Sequence, residues 1–150
     1  MTPCRLIYRS IANPSTLDEK SLVNLENQSA NHNRRLGICG LLLLSGDRFL
    51  QVLEGTSKFV NQVYGKIIQD VRHHDVNLLS YEEIVKPEFI EWDMKLVDLG
   101  TLDAQVQKLF REKYPVNNNL FLFNDDAFLM TSLLVDMRHA QSKANSCLSS

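Results

Sequence analysis

The 150-residue sequence predicts an α+β fold, a ferredoxin-like β-α-β-β-α-β sandwich with an added fifth strand and a C-terminal helical cap. Three observations carry the prediction. Residues alternate in character over CRLIYRS (4–10), as a strand requires. Two apolar runs within GICGLLLLSGDRFLQVLEG (37–55) flank the turn Ser45-Gly46-Asp47, which reads as a hairpin. One amphipathic segment precedes that hairpin and another follows it, and right-handed crossovers place two such helices side by side on one face of a sheet.

Taken in order, the first strand puts Leu6 and Tyr8 on one face and Arg5, Ile7 and Arg9 on the other. Asn13-Pro14-Ser15 interrupts it. A helix follows from about Leu17 to His32, capped by Ser15 or Thr16, with Asp18 and Glu19 in the first turn where the helix dipole favours acids. Its stripe of Leu22, Leu25, Ser29 and Asn33 becomes polar toward the C-terminal end. The run Leu41-Leu42-Leu43-Leu44 is apolar on both faces and predicts a central strand. Phe59, Val60, Val63, Tyr64, Ile67 and Ile68 mark a second helix that ends near 70–74. Residues 76–86 suit a fourth strand stopped by Pro87, and 93–98 a fifth stopped by Gly100. These elements form a unit over 1–98.

Residues 99–150 predict a two-helix cap and a polar tail. Leu102, Val106, Leu109 and Phe110 mark a short helix before Pro115, and VNNNLFLFN reads as a loop. A longer helix runs from about Asp125 to Ser142, capped by Asn124 or Asp125, with Phe128, Leu129, Leu133, Met137 and Ala140 as its apolar stripe. About fifty residues are too few for an independent core, so this extension is expected on the sheet or on another subunit.

Composition excludes several classes. The chain is 44% hydrophobic and 23% charged with a net charge of -2, and its pI is near 6.1. That balance gives no general grip on nucleic acid or an anionic membrane. No segment approaches the roughly 20 apolar residues of a membrane span, and MTPCRLIYRS has no signal-peptide character, so a cytoplasmic location is expected. Cys4, Cys39 and Cys147 are odd in number and widely spaced, unlike a disulfide framework or zinc site; Cys147, in NSCLSS, reads as an exposed thiol. His73-His74 reads as a solvated helix terminus, because adjacent helical residues do not face one ion. Glu82, Glu83, Glu91 and Asp93 read as solvated strand ends. There is no Gly-rich phosphate loop and no basic–aromatic array for RNA.

One residue breaks the pattern. In RFLQVLEG (48–55), Gln51 shares a strand face with Phe49 and Leu53. A buried amide left without partners costs about 1–3 kcal/mol. Either Gln51 is an edge residue facing solvent, or a specific partner sits opposite it. In the predicted sheet the first and third strands are central neighbours, so Tyr8 and Gln51 meet, and Asn33 arrives from the first helix. That convergence describes a cleft for a flat aromatic ligand. Each residue alone also has an ordinary reading: a packed tyrosine, an edge glutamine, a helix-capping asparagine.

Five segments in order, RLIYRS (5–10), HNRRLGICGLLL (32–43), RFLQVLEG (48–55), YGKIIQDVRHH (64–74) and EWDM (91–94), resemble the BLUF family of blue-light sensors that use flavin adenine dinucleotide. The resemblance covers about 3–98, and the whole chain resembles the short stand-alone members. It implies FAD, or else FMN or riboflavin, as cofactor. Tyr8 would donate an electron and a proton to the photoexcited flavin, and Gln51 would lie between Tyr8 and the flavin N5 and C4 carbonyl. Asn33 would bond the pyrimidine edge, with His32 beside it where members carry His or Asn. Lys66 falls where many members have Arg, near the flavin C2 carbonyl side. Arg72 and His73 match a basic pair at the helix end, near the ribityl or phosphate portion, and Leu25 and Ile67 match residues sandwiching the ring. Trp92 and Met94 match the W-x-M pair of the fifth strand that shifts with signalling state.

The resemblance also implies a sensor rather than an enzyme. Its output would be a downstream regulatory protein, response-regulator-like or transcription-regulating, and homo-oligomers are common in the family. Direct nucleic-acid or membrane binding is not implied. Two rivals stand beside it. One is a flavin-free ferredoxin-like interaction module with structural Tyr8 and Gln51. The other is an acylphosphatase-like hydrolase, for which the sequence lacks an Arg/Asn phosphate loop.

Overall fold

The computed structural model describes residues 2–149, with side chains described through Lys143; the expectation for Cys147 lies outside these. Five strands, β1 (Pro3–Ala12), β2 (Cys39–Ser45), β3 (Arg48–Thr56), β4 (His73–Glu83) and β5 (Lys95–Asp98), form one sheet in the order β4-β1-β3-β2-β5. The added strand β5 pairs parallel to β2; the other pairings are antiparallel. The fold is the expected ferredoxin-like α+β sandwich with its fifth strand and C-terminal helices. Because β5 covers the outer side of β2, the four leucines lie in an interior strand. Leu42 and Leu44 point to one face and Leu41 and Leu43 to the other, and all four are buried.

Helices α1 (Glu19–Leu36) and α2 (Ser57–Gln69) cover the first face. There Leu6, Tyr8, Leu42, Leu44, Phe49 and Leu53 meet Val60 and Val63 of α2 and the half-buried Leu22 and Leu25 of α1. Helices α3 (Ala104–Lys113) and α4 (Ala127–Ser149) cover the second face. Ile7, Leu41, Leu43, Leu50 and Val52 pack there with Phe110, Met130, Leu133, Leu134 and Met137. The sheet thus has two cores, and the period-2 alternation of β1 and β3 divides the chain between them.

Several boundaries differ from the sequence reading, each for a local reason. Helix α1 starts later because Pro14–Thr16 first form a single 3-10 turn. Thr16 Oγ1 donates to the Arg72 carbonyl at 2.9 Å, and the cap is Asp18, whose carboxylate accepts from Ser21 N at 3.0 Å. The helix then runs past His32 to Leu36, where Gly37 takes the left-handed conformation, φ 67°. Helix α2 stops at Gln69 because Asp70 grips the Arg72 backbone N–H and guanidinium (2.9 and 2.6 Å) and turns the chain. His73 and His74 therefore open β4 instead of ending a helix.

The expected loop at 116–124 contains a two-stranded hairpin, β6 (Val116–Asn117) and β7 (Leu120–Phe121). Asn118 and Asn119 turn it with φ of 52° and 66°, a conformation asparagine tolerates better than most residues. The α4 cap is Asp126, which accepts from Leu129 N at 3.0 Å, while Asp125 pairs instead with Arg9 of β1.

The second face also buries charge. Glu54 is 1% exposed, and its Oε2 accepts from Arg5 Nε at 2.8 Å. Its Oε1 accepts from the backbone N–H groups of Glu88 and Phe89, each at 2.8 Å. One carboxylate thus joins β1, β3 and the β4–β5 connection. Removing it leaves two amides unpaired in a dry site and the Arg5 cation with only the longer, exposed contact to Glu82 at 3.6 Å, so Glu54→Ala is expected to lower stability by about 3 kcal/mol, read from the urea unfolding midpoint; a loss under about 1 kcal/mol would show that water readily replaces the carboxylate.

Candidate functional site

Antiparallel pairing sets Tyr8 directly opposite Gln51. Both are buried, at 3% and 4% exposure, and the Tyr8 hydroxyl donates to Gln51 Oε1. The other end of the amide is also engaged, Gln51 Nε2 donating to Met94 Sδ at 3.3 Å. Burial, then the neighbouring Tyr64 and Asp70, push the Tyr8 phenol far above its ordinary pKa, so it is a neutral donor across the physiological range. The Tyr64 ring lies 5.7 Å from it, and the His73 ring meets it edge-on at 6.2 Å.

This chain of side chains opens on a cleft of about 240 Å³ between α1 and α2. Leu25, Gln28, Ser29, His32 and Asn33 line it from α1, and Val63, Lys66 and Ile67 from α2. The α1 set follows i, i+3, i+4, i+7, i+8 spacing and the α2 set i, i+3, i+4, which puts each on one helix face. That spacing was the available signal for Gln28, which the sequence reading passed over. Leu42, Phe49 and Gln51 form the floor from the sheet, and Asp70, Arg72 and His73 close the end.

The polar residues of the cleft are unequally satisfied. Asn33 Nδ2 donates to the Asp93 carbonyl at 2.9 Å. His73 Nε2 lies 2.6 Å from the Ile67 carbonyl, and its Nδ1 2.7 Å from Ser10 Oγ; the carbonyl can only accept, which fixes the proton on Nε2 of the neutral ring. Arg72 is committed to Asp70 and to Gln28 Oε1, at 3.0 Å. Burial works against the Asp70 charge, but hydrogen bonds from Arg72 outweigh it and hold the carboxyl below its ordinary range. His32 Nε2, by contrast, is buried without a hydrogen-bond partner. Burial, aided by the Lys66 and Arg35 cations, lowers the pKa of its imidazole.

Nine residues expected together, Tyr8, Leu25, His32, Asn33, Gln51, Lys66, Ile67, Arg72 and His73, do line this one cleft. Trp92 and Met94 part company. They lie just before β5 rather than within it. Met94 is buried on the α1/α2 face against Gln51, whereas Trp92 packs half-buried in the core of the opposite face with Lys95 Nζ 5.0 Å from its ring centroid. Gly40 makes room for this: a Cβ there would stand 2.8 Å from Met94 Cε and 2.4 Å from the Val52 carbonyl oxygen.

Comparison with known proteins agrees with this geometry. The family described as sensors of blue-light using FAD, BLUF, matches residues 4–95. The solved structure of BlsA in its photo-activated state superposes with a TM-score of 0.71 at 28% identity, covering 89% of this chain and 95% of that one. The blue light- and temperature-regulated antirepressor BluF of Escherichia coli (strain K12) is 33% identical over 97 residues, 63% of this chain and 23% of that protein. Photoactivated adenylate cyclase subunit alpha of Euglena gracilis is 30% identical over 92 residues, 61% of this chain and 9% of that protein. The chain therefore spans less than a quarter of either curated relative. From the match over its sheet and first two helices, the chain belongs to the BLUF family of blue-light sensors.

Proposed function

We propose that the chain is a blue-light photoreceptor in which FAD occupies the cleft and Gln51 is the switch. The observation that carries the reading is the buried relay Tyr8–Gln51–Met94 opening on a cleft with apolar walls and an orphaned polar atom, His32 Nε2. A flavin fits those residues: Leu25 and Ile67 supply flat apolar contact, and Asn33 and His32 face the polar edge of the ring. At the mouth, Lys66 is the better anchor for phosphate oxygens. It has no carboxylate partner among the described residues, whereas Asp70 already neutralises Arg72. When bound, the flavin supplies blue-light absorption and, once excited, oxidising power.

The protein's part follows from its hydrogen bonds. Taking an electron from a phenol makes its proton strongly acidic, and Gln51 Oε1 is the acceptor already bonded to Tyr8. The Gln51 amide has one accepting and one donating end of nearly equal size, so rotation or tautomerisation reverses its bonding sense within the same space. Its bond to Met94 is the weaker tether, because a thioether is a poor acceptor. Rearrangement therefore releases Met94 first. No substrate turnover is involved.

On this reading residues 1–98 form the flavin unit and 99–150 the output, acting in the cytoplasm on a regulatory protein, response-regulator-like or transcription-regulating. The E. coli relative's description as an antirepressor supports that class of output. Self-association is also part of the reading, since Phe128 of α4 is 86% exposed and free to meet a second surface.

Purified chain should be yellow, and blue light should shift its absorption slightly to the red, with recovery in the dark. Tyr8→Phe should keep the flavin and lose the shift; a Tyr8→Phe chain that still shifts removes the phenol from the switch, and a colourless chain that takes up no flavin leaves the interaction-module reading. Lys66→Ala should weaken FAD and FMN about tenfold, close to 1.4 kcal/mol, while leaving riboflavin affinity unchanged in a fluorescence titration. Equal losses for all three would place Lys66 against the ring or the ribityl chain instead of the phosphate.

A further inference from the structure

The geometry points to Glu91, Arg138 and Ser142 as a latch through which the state of Gln51 and Met94 reaches α4. The inference rests on the photoreceptor reading above and adds its output step. Four consecutive residues address four different parties. Met94 Sδ accepts from Gln51 on the cleft side. The Asp93 carbonyl accepts from Asn33, and its carboxylate from Arg34 Nε at 2.8 Å, both on α1. Trp92 crosses to the opposite core, and its carbonyl accepts from Gly40 N at 3.1 Å. Glu91 reaches α4: Oε1 accepts from Arg138 at 2.9 Å and Oε2 from the Ser142 hydroxyl at 2.7 Å. The acid expected as a solvated strand end is a tie between the flavin-side segment and the C-terminal helix.

The surroundings confine where a displacement of Met94 can go. Upstream, Glu88 and Phe89 are held by the buried Glu54 carboxylate. Downstream, Lys95–Asp98 are locked in β5. Toward β2 there is no slack, since Met94 Cε already fills the space of a Gly40 side chain. Between those fixed ends the 90–94 segment is held by its bonds to Gly40, Asn33, Arg34 and Gln51, so a displacement of Met94 passes along it, and Glu91 lies at its α4 end. A second tie, from Arg9 to Asp125 and the Phe123 carbonyl, holds the start of α4. Arg9 belongs to β1, which β3 and β4 clamp on both sides, so that tie is the pivot. Between the two, Met130, Leu133, Leu134 and Met137 are fully buried and keep α4 on the sheet.

The latch is also poised to open. Arg138 Nε is buried without a hydrogen-bond partner, so the closed arrangement leaves one donor unused and an alternative placement of the guanidinium sacrifices less. Glu91 is partly exposed, and water stands ready to take its carboxylate. Both parties to the tie have somewhere to go, as a two-state element requires.

Hydrogen–deuterium exchange of the flavin-loaded full chain, in darkness and under blue light, tests this beside the absorption shift. In the wild type, amides of α4 after Met137 should exchange severalfold faster in the light. Glu91→Ala should keep the red shift yet show that fast exchange already in the dark, and the charge-swapped pair Glu91→Arg with Arg138→Glu should restore the light–dark difference. A Glu91→Ala chain that shifts normally and retains the full light–dark difference overturns the latch but leaves the photoreceptor reading intact. A wild type with no red shift overturns both.

Discussion

Everything at the site depends on one register. Tyr8 and Gln51 face each other across β1 and β3, both buried, so each must satisfy the other. A slip of one residue in that pairing would turn one of the two onto the α3/α4 face and replace a phenol–amide bond with two polar groups buried apart from each other. The apolar alternation on both strands enforces the register, because the same slip would also set the apolar residues of the slipped strand against the wrong core. A polar pair placed centrally is therefore held in register by several buried leucines on either side.

From that pair the structure spreads in two directions. On the cleft side, α1 and α2 present one helix face each, apolar in the middle and polar at the ends, which is the pattern a flat heterocycle with a charged tail demands. On the far side, the Glu54 carboxylate fastens the β4–β5 connection, so that the segment leaving it begins from a fixed point. Met94 and Trp92, two residues apart, fall on opposite sides of the sheet layer. A signal generated among hydrogen bonds on one face thus needs only a short backbone displacement to be felt on the other. On this reading the missing side chain at Gly40 matters as much as any side chain present.

Much of this was legible in the sequence, for physical reasons that are easy to name. Alternation in CRLIYRS and RFLQVLEG fixed which residues share a face, and the hairpin between the apolar runs fixed the neighbours; the Tyr8–Gln51 encounter follows from those two facts. The family resemblance, rather than spacing, supplied the expected roles of Asn33, Lys66 and Arg72. What stayed hidden depends on partners distant in the chain. Nothing in RFLQVLEG marks Glu54 as a buried tie until Arg5 and the amides of Glu88 and Phe89 are brought to it. Glu91 likewise gains meaning only from Arg138, 47 residues on. The shift of the α4 cap to Asp126 has the same origin, because Arg9 claims Asp125. The Asn118-Asn119 turn, by contrast, is local: asparagines that tolerate the left-handed region were the available signal for the hairpin that the loop reading of 116–124 missed.

The central claim is that the Gln51 amide, with its two unlike ends, converts light into a changed hydrogen-bond network. The most direct measurement is the light-minus-dark absorption spectrum of Gln51→Leu, whose side chain keeps the volume and removes both ends of the amide. The account predicts a chain that binds flavin and stays folded but shows no reversible red shift. A Gln51→Leu chain that shifts and recovers like the wild type would contradict it, and the switch would have to be sought elsewhere in the cleft.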